Sequence, residues 1–136
     1  MAKETGLGWT TLMLDDSTGD PDDIREDVTG LNWSIPRGIQ DWTGIDKSAI
    51  ERGLLLADFS GQLSGVFDDA ADKAHEVLKT VGSATPTSRT LGIGISGQTL
   101  NNEVHVTDYA CTRSPAGEFT FTAPFVLANG VVPTWS

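Results

Sequence analysis

The sequence predicts a mainly β fold, an antiparallel β-sandwich or open barrel with one flanking α-helix. Three observations predict it. Apolar and polar residues alternate in short runs along most of the chain, as they do in half-buried strands. Glycine, proline, aspartate and serine clusters punctuate those runs, so successive strands are joined by tight turns and pair antiparallel. One stretch alone, beginning at Asp69, carries helical spacing. At 136 residues the chain is long enough to bury a core without disulfides or metal, and it reads as one domain over residues 1–136. Three appendages are expected on it: a loose N-terminal arm at about 1–8, a long loop at about 36–53 and a C-terminal tail at about 129–136.

In chain order, Trp9 to Leu14 reads as a first strand. DDSTGDPDD (residues 15–23) is turn chemistry. Its oxygens alternate as in a calcium loop, but the EF-hand spacing fails, Pro21 intrudes and no glutamate closes it, so a solvated loop is expected. Ile24 to Ile35 is a second strand with a phase slip at Gly30 that suggests a bulge. Residues 36–53 form a long connection bearing Ile39, Trp42 and Ile45, apolar side chains that need a cover. Connections of that length tend to be functional.

Leu54 to Val66 alternates as one long strand. Leu55, Ala57, Phe59, Leu63 and Phe67 lie on one side, and Asp58, Ser60, Gln62 and Ser64 on the other. The helix follows, with Ala70, Ala71, Ala74, Val77, Leu78 and Val81 on one stripe. Asp68 or Asp69 is placed to cap its N-terminus, and Gly82 to end it in the left-handed conformation. After the loop SATPTS, Thr90 to Ser96 alternates again. Its GIGISG run lacks the lysine of a phosphate loop, and its small residues are expected where another layer comes close. A turn starts at Gly97–Gln98. Glu103 to Arg113 and Glu118 to Leu127 are the last two strands, joined by SPAG, with Pro124 arguing for an edge or a bulge. Trp135 in the final NGVVPTWS suggests a tail that docks.

The net charge is −10, from 9 basic and 19 acidic residues. Within residues 1–27, Glu4, Asp15, Asp16, Asp20, Asp22, Asp23, Glu26 and Asp27 oppose Lys3 and Arg25. Such a chain is not expected to grip a phosphate backbone, which takes cations. One cysteine, Cys111, excludes an intrachain disulfide and fits a reducing compartment. No apolar run reaches the ~18 residues of a membrane span, and the start lacks the pattern of a signal peptide. The expectation is a soluble protein with no membrane contact. Catalytic patterns are missing: His75 is followed by Glu76 but Lys79 stands where HExxH needs histidine, His105 sits mid-strand, and no serine elbow occurs. No catalytic residue, cofactor or metal is expected.

The order of these pieces carries a resemblance. GIDKSAIERGLLLADFSGQLSGVFDD, then AADKAHEVLKT, then SRTLGIGISG, then EVHVTDYACTRSPAGEFTFTAPFVLANGVVPTW, resembles the major tail (tail tube) protein of long-tailed bacteriophages. The resemblance spans nearly the whole chain, best from Gly44 to Trp135. It implies a structural virion protein of the tail, assembled in the host cytoplasm, that is not an enzyme. Such proteins form hexameric rings whose sheets join edge to edge, and the rings stack into a tube through which DNA passes without specific binding. The implied partners are further copies of itself and other tail proteins such as the tape measure and the terminator. On the residues themselves, Asp58, Ser60, Gln62 and Ser64 are candidates to line an acidic, hydroxyl-rich lumen that repels phosphate. Ile39, Trp42, Ile45 and Trp135 are candidates for contacts between rings, since tryptophan favours interface cores. Two alternatives remain: another phage morphogenesis protein (tail terminator, head–tail connector or head decoration protein), or a monomeric β-sandwich binding module.

Overall fold

The structure, a computed structural model, describes residue 3, residues 5–83 and residues 87–136. Its elements run β1 (Trp9–Asp15), β2 (Pro21–Asp23), β3 (Val28–Ser34), β4 (Arg37–Asp41), β5 (Arg52–Ala57), β6 (Ser60–Val66), α1 (Ala74–Leu78), β7 (Arg89–Ile95), β8 (Gln98–Val106), β9 (Ala110–Arg113) and β10 (Phe119–Leu127). Eight strands form one antiparallel sheet in the order β2-β1-β7-β8-β10-β6-β3, with β9 beside the first half of β10; β4 and β5 form a separate two-stranded sheet. The large sheet curls on itself. Trp9, near one edge, and Trp33, on the other, meet edge to face with ring centroids 6.0 Å apart. Residues 24–28 bridge the gap, Ile24 N–H donating to Leu12 and Val66 N–H to Asp27. The fold is therefore the open barrel expected, with a short helix at its side.

The inner face holds the core: Leu12, Leu14, Leu63, Leu91, Ile93, Leu100, Val104, Phe121, Ala123 and Phe125 from the strands, with Ala74, Val77 and Leu78 from α1. Leu63 and Ala123 are direct partners across β6 and β10, so alternation puts both on the buried side. The bulge expected at Gly30 is present as a register shift between Val28 and Gly30. The turn after β7 is a two-residue hairpin, with Ser96 at φ 52° and Gly97 at φ 81° closing the Ile95–Gln98 pair. That is the turn whose twist matches paired strands.

Several expectations are corrected. The single strand over 54–66 is two strands in two sheets. The chain leaves one sheet at Asp58, whose carboxylate accepts the Phe59 N–H at 2.8 Å while its own N–H donates to Pro36, and Phe59 turns into the core. The strand over 103–113 breaks in the same way: Asp108 accepts the Tyr109 N–H at 2.8 Å, and β8 ends before β9 begins. The loop 36–53 contains β4. The hairpin strand β2 occupies part of the expected acidic loop. The helix has five residues, not a dozen. Lys73 stands at its N-cap with no side-chain capping bond, Asp68 instead binds the N–H of Ala70, and Asp72 at φ 62° stops the helix from starting earlier. Gly82 is not left-handed. Pro124 lies inside the sheet, not at an edge. Its carbonyl accepts from Thr107 where β8 gives way to β9, and a strand residue's N–H and C=O point the same way. The missing N–H therefore falls in that gap. Gly92 and Gly94 make room for Asn101 and Thr11 on neighbouring strands of the same sheet, not for another layer. Residues 84–86 of SATPTS, and residues 1, 2 and 4 of the N-terminal arm, lie outside the described residues.

Candidate functional site

The feature least explained by the chain's own packing is the arm formed by β4, β5 and the turn between them. Arg37 pairs with Ala57, Ile39 with Leu54, and Asp41 with Arg52, and the Arg37 Nε–H donates to the Leu55 carbonyl at 2.9 Å. At the tip, Thr43 Oγ1 bonds the Asp41 carboxylate at 2.6 Å and receives the Glu51 N–H at 2.8 Å. The Trp42 ring lies over Gly53, where a Cβ would come within 2.2 Å of it, so any larger residue there would push the ring aside. Every residue of β4 is exposed. Ile39, Ile45, Ile50, Leu54, Leu55 and Leu56 are all exposed, and Trp42 is 55% exposed. An isolated two-stranded hairpin is marginally stable in water, and this one also holds a run of uncovered leucines. Three sequence candidates, Ile39, Trp42 and Ile45, thus sit together on one arm.

Trp135 does not join them. The C-terminal residues add a short strand to the start of β8. Ser136 and Thr99 exchange N–H···O bonds of 2.9 Å in both directions, Trp135 lies opposite Leu100, and its ring meets Trp33 at 6.2 Å. Trp135 is 41% exposed. The tail is docked, as expected, and its tryptophan extends the Trp9–Trp33 contact that closes one end of the barrel.

The polar candidates divide. Ser60, Gln62 and Ser64 share the outer face of β6, opposite Ser34, Asn32 and Gly30 on β3 and Val126, Pro124 and Thr122 on β10. The same face continues through His105 and Glu103 on β8. Asp58 lies outside this set, at the corner where the chain changes sheets. Across β3, β6, β10 and β8 this face is rich in hydroxyls and amides, with Glu103 and His105 its titratable groups. The acidic lining expected from Asp58 is not there.

The acids gather instead around α1, where sequence reasoning missed the two residues that fix the helix. Asp27, only 2% exposed, accepts the Ala74 N–H through Oδ2 at 3.1 Å. Arg89, 3% exposed, donates to the carbonyls of Val77 and Asp15 and to Thr80 Oγ1 at 2.8 Å. An acid at the first N–H and a cation at the last carbonyls complement the ends of the helix. Burial, reinforced by Asp68 and Glu26, pushes the Asp27 carboxyl above its ordinary value, while the Ala74 N–H opposes the rise. Carboxylate oxygens of Glu26, Asp27 and Asp68 come within 4.8 Å of one another, and Lys73 pairs with Glu26 at 3.4 Å.

Asp22, 8% exposed, has an Oδ2 with no hydrogen-bond partner. Burial first, then the charges of Asp72, Asp16, Asp20 and Glu76, push its carboxyl up. An acid raised in the folded state contributes stability below its unfolded pKa, near 3.8, and that contribution is lost as pH rises through the folded value. Asp22→Asn is therefore expected to stabilise the protein at pH 7 by about 1 kcal/mol, the order of an unsatisfied buried polar group. The advantage over wild type should shrink to nothing as pH falls below about 4. Melting curves of both proteins across that range check it.

No catalytic constellation emerges around the histidines. His75 Nδ1 lies 3.1 Å from the Tyr109 hydroxyl and its ring packs on Phe67 at 4.4 Å; burial raises the Tyr109 phenol. This is an aromatic cluster that also stacks Phe67 on Phe119. A cleft of about 590 Å³ lies at the seam of the barrel, walled by Trp9, Leu12, Val28 and Leu31 and rimmed by Arg25 and Lys73.

Comparison with known proteins gives a likeness in fold. No protein-family model matches the chain, and no curated protein matches it. A chain from the tail of an empty GTA particle, computed with helical refinement and C6 symmetry, superposes with a TM-score of 0.74 at 18% identity, covering 98% of this chain and 99% of that one. A chain from the virion of a native gene transfer agent particle superposes with a TM-score of 0.72 at 16% identity, again over 98% and 99%. The likeness in fold to these two chains thus runs end to end.

Proposed function

We propose that this protein is a structural subunit of a phage-type tail, self-assembling into hexameric rings that stack into a tube through which DNA passes. The observation that carries the reading is the end-to-end fold match with a chain of a tail of C6 symmetry. The arm supports it independently, because Ile39, Trp42 and Leu54–Leu56 stay exposed among the described residues and a neighbouring copy is the simplest cover. In this reading the outer face bearing Ser60, Gln62 and Ser64 lines the lumen. Its hydroxyls and amides offer phosphate few cations, so a duplex slides past without being held. The excess acid elsewhere keeps the subunit soluble before assembly. Contacts with a tape measure and a terminator belong to the same reading, as does residence in the virion after assembly in the host cytoplasm.

Negative-stain imaging of the purified protein over a concentration series tests it. Tubes or stacked rings with six-fold end views are expected above a threshold concentration. A protein that remains monomeric at every concentration, with or without added tail tips as nuclei, removes the proposal and favours a binding module.

A further inference from the structure

We propose that the seam cleft is the receptor for the tip of the arm from a second copy of this chain. The inference rests on the assembly reading above and assigns the contact that it leaves open. Among the described residues, none from the β4–β5 arm lines the cleft, so this arm does not fill the cleft of its own chain. The cleft offers an apolar wall of Trp9, Leu12, Val28 and Leu31 beside the outer edge of β3, whose strand partner is β6 alone. The arm tip offers Ile45 and Ile50, both exposed. Apolar projection and apolar recess lie on different parts of the surface. A contact between them is head-to-tail, the kind that closes a ring or continues a filament.

Charge favours the same pairing. In a chain of net charge −10 most surfaces repel their own copies. The cleft rim is neutral, with Arg25 against Asp23 at 3.0 Å and Lys73 against Glu26 at 3.4 Å. The tip between residues 41 and 51 carries Asp41, Asp46 and Glu51 against Lys47. An acidic tip thus approaches a rim that holds two cations, and Arg25 and Lys73 each gain a second carboxylate partner from the incoming copy. The volume of about 590 Å³ takes a branched aliphatic side chain and its flanking backbone. Burying the tip also gives the isolated hairpin the packing it lacks.

Cysteine pairing tests the assignment. In a Cys111→Ser background, one protein carries Thr29→Cys at the cleft rim and a second carries Ser48→Cys at the arm tip. Both positions are exposed, and melting curves confirm that each variant folds. The two are mixed, assembled and oxidised with copper phenanthroline, whose Cu(II) takes the two electrons and passes them to dissolved oxygen while the two thiol protons go to the buffer as the disulfide forms. Above the assembly threshold, mixed dimers are expected at least tenfold over their level below it, and over same-variant dimers. A chain with both substitutions gives a ladder of covalent oligomers. Tubes that form with no excess of mixed dimers overturn the docking assignment and leave the assembly reading standing. Failure of wild type to assemble under any condition overturns both.

Discussion

Trp42→Ala is expected to abolish tube formation while leaving a monomer that melts within about 2 °C of wild type. Trp42 is 55% exposed, and its ring lies over Gly53 of its own arm. A surface change of that kind costs about 0.5 kcal/mol or less, which for a domain of this size is a degree or two. Its loss from an interface is another matter, since buried tryptophans at contact centres carry about 2 kcal/mol or more each, and the six copies of the proposed ring would multiply the deficit. Trp135→Ala provides the contrast. Its ring packs on Trp33 and closes the barrel end, so its removal is expected to cost about 2 kcal/mol of monomer stability, roughly half of what a fully buried tryptophan costs. Thermal melts and negative-stain images of both variants decide the matter. Normal tubes from Trp42→Ala, or a melting loss equal to that of Trp135→Ala, would show that the arm is not an assembly device.

These two tryptophans illustrate how far the sequence could be read. Both were legible as unusual, each an aromatic ring in a polar, turn-rich segment. Only the fold separates them, because Trp135 finds Trp33 about a hundred positions away and Trp42 lies over Gly53 of its own hairpin. Local chemistry was legible where it is self-contained. The bulge at Gly30 and the alternation of β7 and β10 each depend on neighbouring residues. The corners at Asp58–Phe59 and Asp108–Tyr109 were hidden, since alternation runs through them unbroken: an aspartate that bonds the next N–H turns the chain without disturbing the period-2 pattern. The helix was overestimated for a related reason. Alanines on one stripe satisfy a helical period, but Asp72 in the left-handed region overrides it. Of the candidate lumen set, three residues stayed on one face and Asp58 left it, because the pattern could not report that the strand changes sheets.

Arg89→Leu is expected to cost about 3 kcal/mol of stability, about 10 °C in melting temperature, and to release the helix from the barrel. Arg89 stands at the start of β7, almost wholly buried, and its guanidinium binds Val77, Thr80 and Asp15. Burial lowers its pKa, yet guanidinium keeps its charge in proteins. Leucine fills most of the volume, so the loss reports the bonds: hydrogen bonds to a charged donor are worth about 1.5–3 kcal/mol each, and the abandoned carbonyls remain buried. Asp27→Ala removes the tie at the other end, leaving the Ala74 N–H without its acceptor, for about 1–2 kcal/mol. A five-residue helix cannot persist on its own propensity, so losing either tie should loosen the whole segment. The double variant is then expected to lose at least 1 kcal/mol less than the sum of the single variants, measured by denaturant unfolding. Strict additivity would mean that Ala74, Val77 and Leu78 hold α1 on the barrel by packing alone. The ion-tipped arrangement would then be a consequence of the docking and not its cause.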